Sequence, residues 1–203
     1  YLWTTRDMKL LGYVGDSLEF CKLGLFCDAE FAGDQEDAKT TSGIFLCIYG
    51  PNTFSPCSAV FKKQGNVSQS TCESEIIALT LGLKTEGSPA LDIWDLTSSF
   101  PVVGEPPQKP WLHVYEDNQS TILVAEKGAS KQLKHVSRTH RVNVMWLSQV
   151  LGAPDIKLLY VPSALQAADL YTKGFSSAEK FNELRMLSGV WCQDKLKGLT
   201  SFQ

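Results

Sequence analysis

The sequence predicts one mixed α/β domain whose sheet opens as an antiparallel meander and continues with strands that alternate with helices. Three observations carry this prediction. First, 203 residues with 43% hydrophobic content can bury one substantial core and leave little for a second. Second, after a glycine-punctuated opening, three β-like apolar runs joined by short turns fill most of the first third of the chain. Third, the remainder alternates capped helical patterns with further apolar runs, the order that lays helices on the faces of a sheet.

Taken in order, residues 1–22 show no clear period near their start and carry Gly12, Gly15 and Asp16, so they read as a connector. An apolar strand is expected over 23–27. A second follows the Gly33-Asp34 break over 42–49 and ends at Gly50-Pro51-Asn52, and a third falls within 59–68. Ser70 or Thr71 then offers an N-cap with Glu73 and Glu75 close behind. Ile76, Ile77, Leu79, Thr80 and Leu83 continue the pattern of a half-buried helix. Gly87-Ser88-Pro89 is expected to interrupt it, a second helical piece to run over 90–96, and the proline-rich stretch 101–110 to form a surface loop. Another strand is expected over 111–115, with Asp117 at its end. Asn118 or Ser120 can cap a helix reaching about Lys127, which Gly128 terminates. Further on, a helix is expected over 138–151, a last strand over 156–161, and a helix carrying Asp169 after Pro162-Ser163. The domain proper is then 23–175, followed by a C-terminal helix and tail over 176–203. Because the chain opens at Tyr1 rather than methionine, we expect a piece of something longer.

Composition narrows the function. A formal charge of −3 and a pI near 5.6 argue against a protein that holds nucleic acid by bulk electrostatics, so any such contact is local. Six cysteines, at 21, 27, 47, 57, 72 and 192, form no CxxC pair, and the three histidines do not stand at zinc-finger spacing beside them. Several of these cysteines fall inside apolar strands, which suits a reducing, intracellular compartment. No apolar run approaches the roughly 20 residues that span a bilayer, so no membrane partner is expected.

Four acidic signatures recur in a fixed order: Cys27-Asp28-Ala29-Glu30-Phe31, Glu73-Ser74-Glu75-Ile76, Glu116-Asp117-Asn118-Gln119-Ser120 and Gln166-Ala167-Ala168-Asp169-Leu170. Asp28 and Asp117 fall at expected strand ends, Glu75 and Asp169 near expected helix starts, and in α/β sheets sites collect at those places. Magnesium prefers oxygen ligands and is held by a few carboxylates together with substrate phosphate oxygens. Two such ions roughly 4 Å apart can activate a water and stabilise the departing oxygen of a phosphodiester. Four crowded acids would titrate as a coupled group without metal. Taken singly, an acid of this kind is far more often a helix cap or a solvated charge than a ligand; the ordered set of four with its flanking residues is what singles these out.

The flanking residues carry a resemblance. Phe26-Cys27-Asp28-Ala29-Glu30-Phe31-Ala32-Gly33-Asp34 with Lys39-Thr40-Thr41-Ser42-Gly43 resembles the DADWAGD…R-x-S-T-S-G opening of the ribonuclease H domain in copia-type (Pseudoviridae) retrotransposon polyproteins. Lys62-Lys63-Gln64 with the 70–78 stretch resembles that family's SKKQ…STTEAEYIA, and Glu116-Asp117-Asn118-Gln119-Ser120 resembles its DNQSA. Lys134-His135-Val136-Ser137-Arg138-Thr139-His140 is similar to KHIDxRYH, and Tyr160-Val161-Pro162 with 166–173 is similar to YVPTxxQxADxLTK. These strings stand in the family's order and cover about residues 11–190. Departures are Phe31 for tryptophan, Lys39 for arginine, Pro56 with loss of a tryptophan in 54–61, and Trp146-Leu147-Ser148-Gln149 where the family has arginine-glutamate.

The resemblance implies a ribonuclease H-like mixed sheet with helices on both faces. It also implies an endoribonuclease that cleaves the RNA strand of RNA–DNA hybrids during reverse transcription. Its catalytic and metal-binding residues would be Asp28, Glu75, Asp117 and Asp169, with two Mg2+ ions, Mn2+ substituting. Glu75 rather than Glu73 is matched because it precedes Ile76-Ile77-Ala78. Hybrid contacts would come from Lys62, Lys63, Gln64, Ser70, Asn118, Gln119, Lys134, His135, Arg138 and His140. For the lysines the competing reading is a solvated polar face, and for His135 and His140 a structural hydrogen bond. The implied partners are the hybrid and the reverse transcriptase and integrase regions of the same polyprotein, with residues 1–22 leading from the polymerase region. The implied location is intracellular: a cytoplasmic virus-like particle, and the nucleus. The alternative is a decayed module that binds hybrid or partner domains without cleavage. An integrase core would place its glutamate last, whereas here it comes second.

Overall fold

The computed structural model describes residues 5–33, 37–98 and 111–192, so the expected loop over 101–110 and the end of the tail lie outside the described residues. The elements are β1 (Met8–Leu10), β2 (Tyr13–Val14), β3 (Lys22–Glu30), β4 (Thr41–Gly50), β5 (Thr53–Lys63), α1 (Thr71–Gly82), α2 (Ser88–Ser98) and β6 (Leu112–Glu116). After them come α3 (Gln119–Lys127), α4 (Val136–Thr139), α5 (Val144–Leu151), β7 (Ile156–Tyr160), a 3-10 turn at Ala167–Tyr171, α6 (Ala178–Leu187) and β8 (Val190–Cys192).

The main sheet has the order β2-β5-β4-β3-β6-β7. Its meander, β3 to β4 to β5, is antiparallel, while β6 and β7 join beside β3 in parallel. This is the expected mixed α/β architecture, with an antiparallel meander and parallel strands in one sheet. Strand alternation divides the side chains between two faces. Leu23, Leu25, Cys27, Ile44, Leu46, Leu112 and Val114 point into a core closed by Ile76, Leu79 and Leu83 after α1, Trp94 of α2, Ala125 of α3 and Leu147 of α5. The alternate residues Phe45 and Cys47, with Phe26 and Tyr49, meet Ala167, Tyr171 and Leu187 on the opposite face.

Several boundaries differ from expectation. The third strand starts at Thr53, because the Gly50-Pro51-Asn52 turn closes a tight hairpin and β5 pairs with β4 from Gly50↔Thr53 onward. Pro56 is accommodated by a bulge at Cys57, where the register passes from Leu46↔Ser58 to Cys47↔Pro56. On the other edge β2 reaches only Phe54 and Thr53, so the missing N–H of Pro56 breaks no ladder bond there. Gly87-Ser88-Pro89 does not end the helix. The backbone widens into a π turn over Leu83–Gly87, with Ser88 N–H donating to Leu83 O, and this longer-range bond makes room for the proline ring.

The helix expected over 138–151 is two helices. Arg141 takes a positive φ of 57° between them, and the Asn143 side chain caps α5 by accepting from Met145 N and Trp146 N. Asp169 sits on the short 3-10 turn rather than on an α-helix. Segments read as connector and tail meet, since β1 pairs antiparallel with β8.

Candidate metal centre

The C-terminal ends of the parallel strands β3 and β6 lie side by side, and the residues that follow them face the start of α1. Asp28, two residues before the end of β3, is buried. Asp117 follows β6 directly, and Asn118 caps α3 by accepting from Ser120 N and Thr121 N. Ser70 caps α1 by accepting from Glu73 N at 3.2 Å, which sets Glu75 in the early turns of that helix. Carboxylate oxygens of Asp28, Glu75 and Asp117 all lie within 4.8 Å of one another. Asp169 approaches from the opposite face of the sheet on the 3-10 turn. Gln166 at the head of that turn donates from Nε2 to Cys27 O at 2.9 Å, pinning the turn against β3.

Neighbouring side chains fix the acids. The Thr172 hydroxyl donates to Asp28 Oδ2, and Ser163 Oγ donates to Asp117 Oδ2 at 2.5 Å. Lys173 Nζ stands 2.6 Å from Asp169 Oδ1 and 3.7 Å from Asp28 Oδ1. Burial pushes the Glu75 carboxyl up to about 11, reinforced by the charges of Glu116, Asp28 and Asp117. Asp169 is raised to about 6 by burial and by Asp28. Asp28 is raised by burial, against the opposing pull of Lys173 and Thr172. Burial works against a charged Lys173, yet Asp28 and Asp169 hold its ammonium above the ordinary lysine value. Lys173 and Asp117 to Gln119 also line a cavity of about 700 Å³ that opens on the cluster.

Divalent magnesium or manganese suits this donor set. The donors are all oxygen, three of them converge, and Glu75 Oε2 is buried with no hydrogen-bond partner among the described residues.

Sequence reasoning did not assign Glu116, Thr172, Lys173 or Ser163. Glu116 is fully buried, its Oε1 accepts from Asn118 N, and burial raises its carboxyl well above the ordinary range. The signal for it was the strand period, which puts Leu112, Val114 and Glu116 on one inward face. For Lys173 the signal was its i,i+4 spacing from Asp169.

The residues matched to hybrid contacts divide into groups. Asn118 and Gln119 line the cavity at the carboxylates. Lys62, Lys63, Gln64, Arg138 and His140 line a separate groove of about 540 Å³, along with Lys84 and Arg141. Within it Gln64 turns inward, donating from Nε2 to Ser42 Oγ and Ser74 O and accepting from Ser68 Oγ. His135 and His140 close on the buried Glu73, with each Nε2 3.2 Å from Glu73 Oε1; His140 is too poorly aligned for a hydrogen bond. Lys134 lines a third depression beside Lys127 and Lys131.

No family profile and no curated protein matches the chain. Solved structures that resemble it include the N-terminal RNase H domain of a Mycobacterium tuberculosis protein, fused to maltose-binding protein, at 14% identity and TM-score 0.44, covering 81% of this chain and 96% of that one. An RNase H1 isolated from compost by a metagenomic approach is similar at 16% identity and TM-score 0.43, covering 74% and 92%. The prototype foamy virus protease–reverse transcriptase is similar at 14% identity and TM-score 0.38; it covers 94% of this chain, which spans only 22% of that protein.

Proposed function

We propose that this chain is a metal-dependent endoribonuclease that cleaves the RNA strand of RNA–DNA hybrids during reverse transcription, as a segment of a copia-type Pol polyprotein. The observation that carries the reading is the meeting of Asp28, Glu75 and Asp117 within 4.8 Å, with Asp169 tied to Asp28 through Lys173. These are the four acids singled out by the ordered motifs. The motif order, not any structural likeness, supports the retrotransposon origin, the reverse transcriptase and integrase regions as partners, and a site of action in a cytoplasmic virus-like particle and the nucleus.

Asp28, Glu75, Asp117 and Asp169 would hold the cations. Bound Mg2+, as two ions, would supply Lewis acidity toward the scissile phosphate and lower the pKa of an attacking water. The chain itself does the positioning. Thr172 and Ser163 orient Asp28 and Asp117 by donating to their outer oxygens, leaving the other lone pairs for a ligand. Asn118 and Gln119 present polar groups to the cavity, and the basic groove offers Lys62, Arg138 and Arg141 to a phosphate backbone.

The test is cleavage of a labelled RNA–DNA hybrid with Mg2+ by this chain and by Asp28→Asn. We expect RNA-strand cleavage that falls at least 100-fold in the variant and is lost in EDTA. Equal product from both proteins would reject the assignment and leave the decayed, non-cleaving module. The bulge at Cys57 does not favour that alternative, since pairing with β4 resumes on both sides of it.

A further inference from the structure

We propose that the Lys173 ammonium is the resident counter-ion of the carboxylate cluster, bridging Asp28 and Asp169 where a divalent cation would be held, so that metal binds only by displacing it. Lys173 is then a positioning residue that sets the metal affinity of the site, and the inference rests on the metal-dependent reading above. Three observations support it. The ammonium lies 2.6 Å from Asp169 Oδ1 and 3.7 Å from Asp28 Oδ1, between two acids assigned to the same ions. A cation drawing on both carboxylates would meet the ammonium's charge at close range.

The second observation is that the backbone of Lys173 is anchored independently of its side chain. Its N–H donates to Asp169 O at 3.1 Å, and the adjacent Thr172 hydroxyl holds Asp28. The ammonium can therefore depart without unravelling the turn that carries Asp169. Third, there is somewhere for it to go. The side chain is 32% exposed, and Lys173 lines the cavity of about 700 Å³ beside the carboxylates. An ion pair serving stability alone would have no need of a flexible partner at the mouth of an open cavity, whereas an exchangeable counter-ion does. The four-carbon stem of lysine allows the swing with the backbone unmoved.

The experiment is a Mn2+ titration of the full chain by calorimetry and electron paramagnetic resonance, with no hybrid present. It compares the unaltered protein with Lys173→Met, Lys173→Arg and Asp28→Asn. We expect Lys173→Met to bind Mn2+ about tenfold more tightly, on the order of one removed unit charge in a partly solvated site, and Lys173→Arg to stay near the unaltered protein. We also expect Lys173→Met to lower the melting temperature without metal and to leave it nearly unchanged at saturating Mn2+. Unchanged or weaker Mn2+ binding by Lys173→Met, or an equal thermal loss with and without Mn2+, overturns the proposal while leaving the metal site intact. Binding that is absent from both the unaltered protein and Lys173→Met, or indifferent to Asp28→Asn, overturns the metal-dependent reading itself and this inference with it.

Discussion

Glu75 and Asp169 show what burial beside other acids does to single carboxyls. Their ordinary values are 4.5 and 3.8, and in the fold they stand at about 11 and about 6, burial being the first cause for both. Folded protein therefore binds more protons than unfolded chain between those limits, and stability must fall as pH rises through them. The contribution is fully present below about pH 4. It is lost first as Asp169 ionises near 6, then continues to decline toward the Glu75 value. We expect the melting temperature in EDTA to drop steadily from pH 5 to pH 9. Glu75→Gln should flatten that slope, and Mg2+ should raise the melting point most at the alkaline end. A melting temperature that climbs with pH in EDTA would contradict this electrostatic account. The acids themselves were legible in the sequence from their place at the edges of apolar runs. Glu116 and Lys173 left only a strand period and an i,i+4 spacing as traces, because their roles depend on which neighbours face them across the fold.

At the scale of elements, the 3-10 turn over Ala167–Tyr171 must lie flush on β4 for Asp169 to reach the cluster. Gly43 of β4 permits that approach. A Cβ there would stand 2.6 Å from Thr172 Cγ2 and 2.9 Å from Ala168 O, the second being backbone that cannot swing aside. Gly43→Ala should therefore push the turn off the sheet, costing about 1–3 kcal/mol as other overpacked sites do. Urea denaturation would read this as a lower midpoint with unchanged slope. Mn2+ affinity should fall at the same time, because Thr172 and Asp169 move together; a destabilised variant with full Mn2+ affinity would show that the turn does not position the site. Caps made α1 and α3 readable, with Ser70, Asn118 and Gly128 placed as their residue types suggest. The joint at Gly87-Ser88-Pro89 misled because a π turn can absorb a proline that an uninterrupted α-helix would reject.

Across the whole molecule, charge is unevenly spread. The net formal charge is −3, yet one groove gathers Lys62, Lys63, Lys84, Arg138 and Arg141. Hybrid binding by the isolated chain should be weak and steeply salt-dependent, since each cation meeting a phosphate contributes about −0.7 to −0.9 to the logarithmic slope. Replacing the exposed Lys62 by alanine should shallow that slope by about one unit and weaken binding equally for unrelated hybrid sequences. Fluorescence anisotropy between about 50 and 200 mM salt tests it, and affinity indifferent to salt would rule the groove out as the backbone-binding face.

Read alone, the sequence reached the strands of the meander and of the parallel pair, the caps at Ser70 and Asn118, and the acids Asp28, Glu75 and Asp117 beside them, but not the short strands β1, β2 and β8. Hydrophobic period and capping act over a few residues, so a linear reading reaches them. Packing in three dimensions set which of those acids converge, namely Asp28, Glu75 and Asp117, and which side chains stand among them. Thr172 and Asp28 are 144 residues apart in the chain and hydrogen-bonded in the fold. The placement of Lys173 between Asp28 and Asp169, and of Gln166 on the backbone of Cys27, depends likewise on the 3-10 turn docking against β3. The physical reason is range: electrostatic and hydrogen-bonding partners at a buried site are set by three-dimensional packing, which no local pattern encodes.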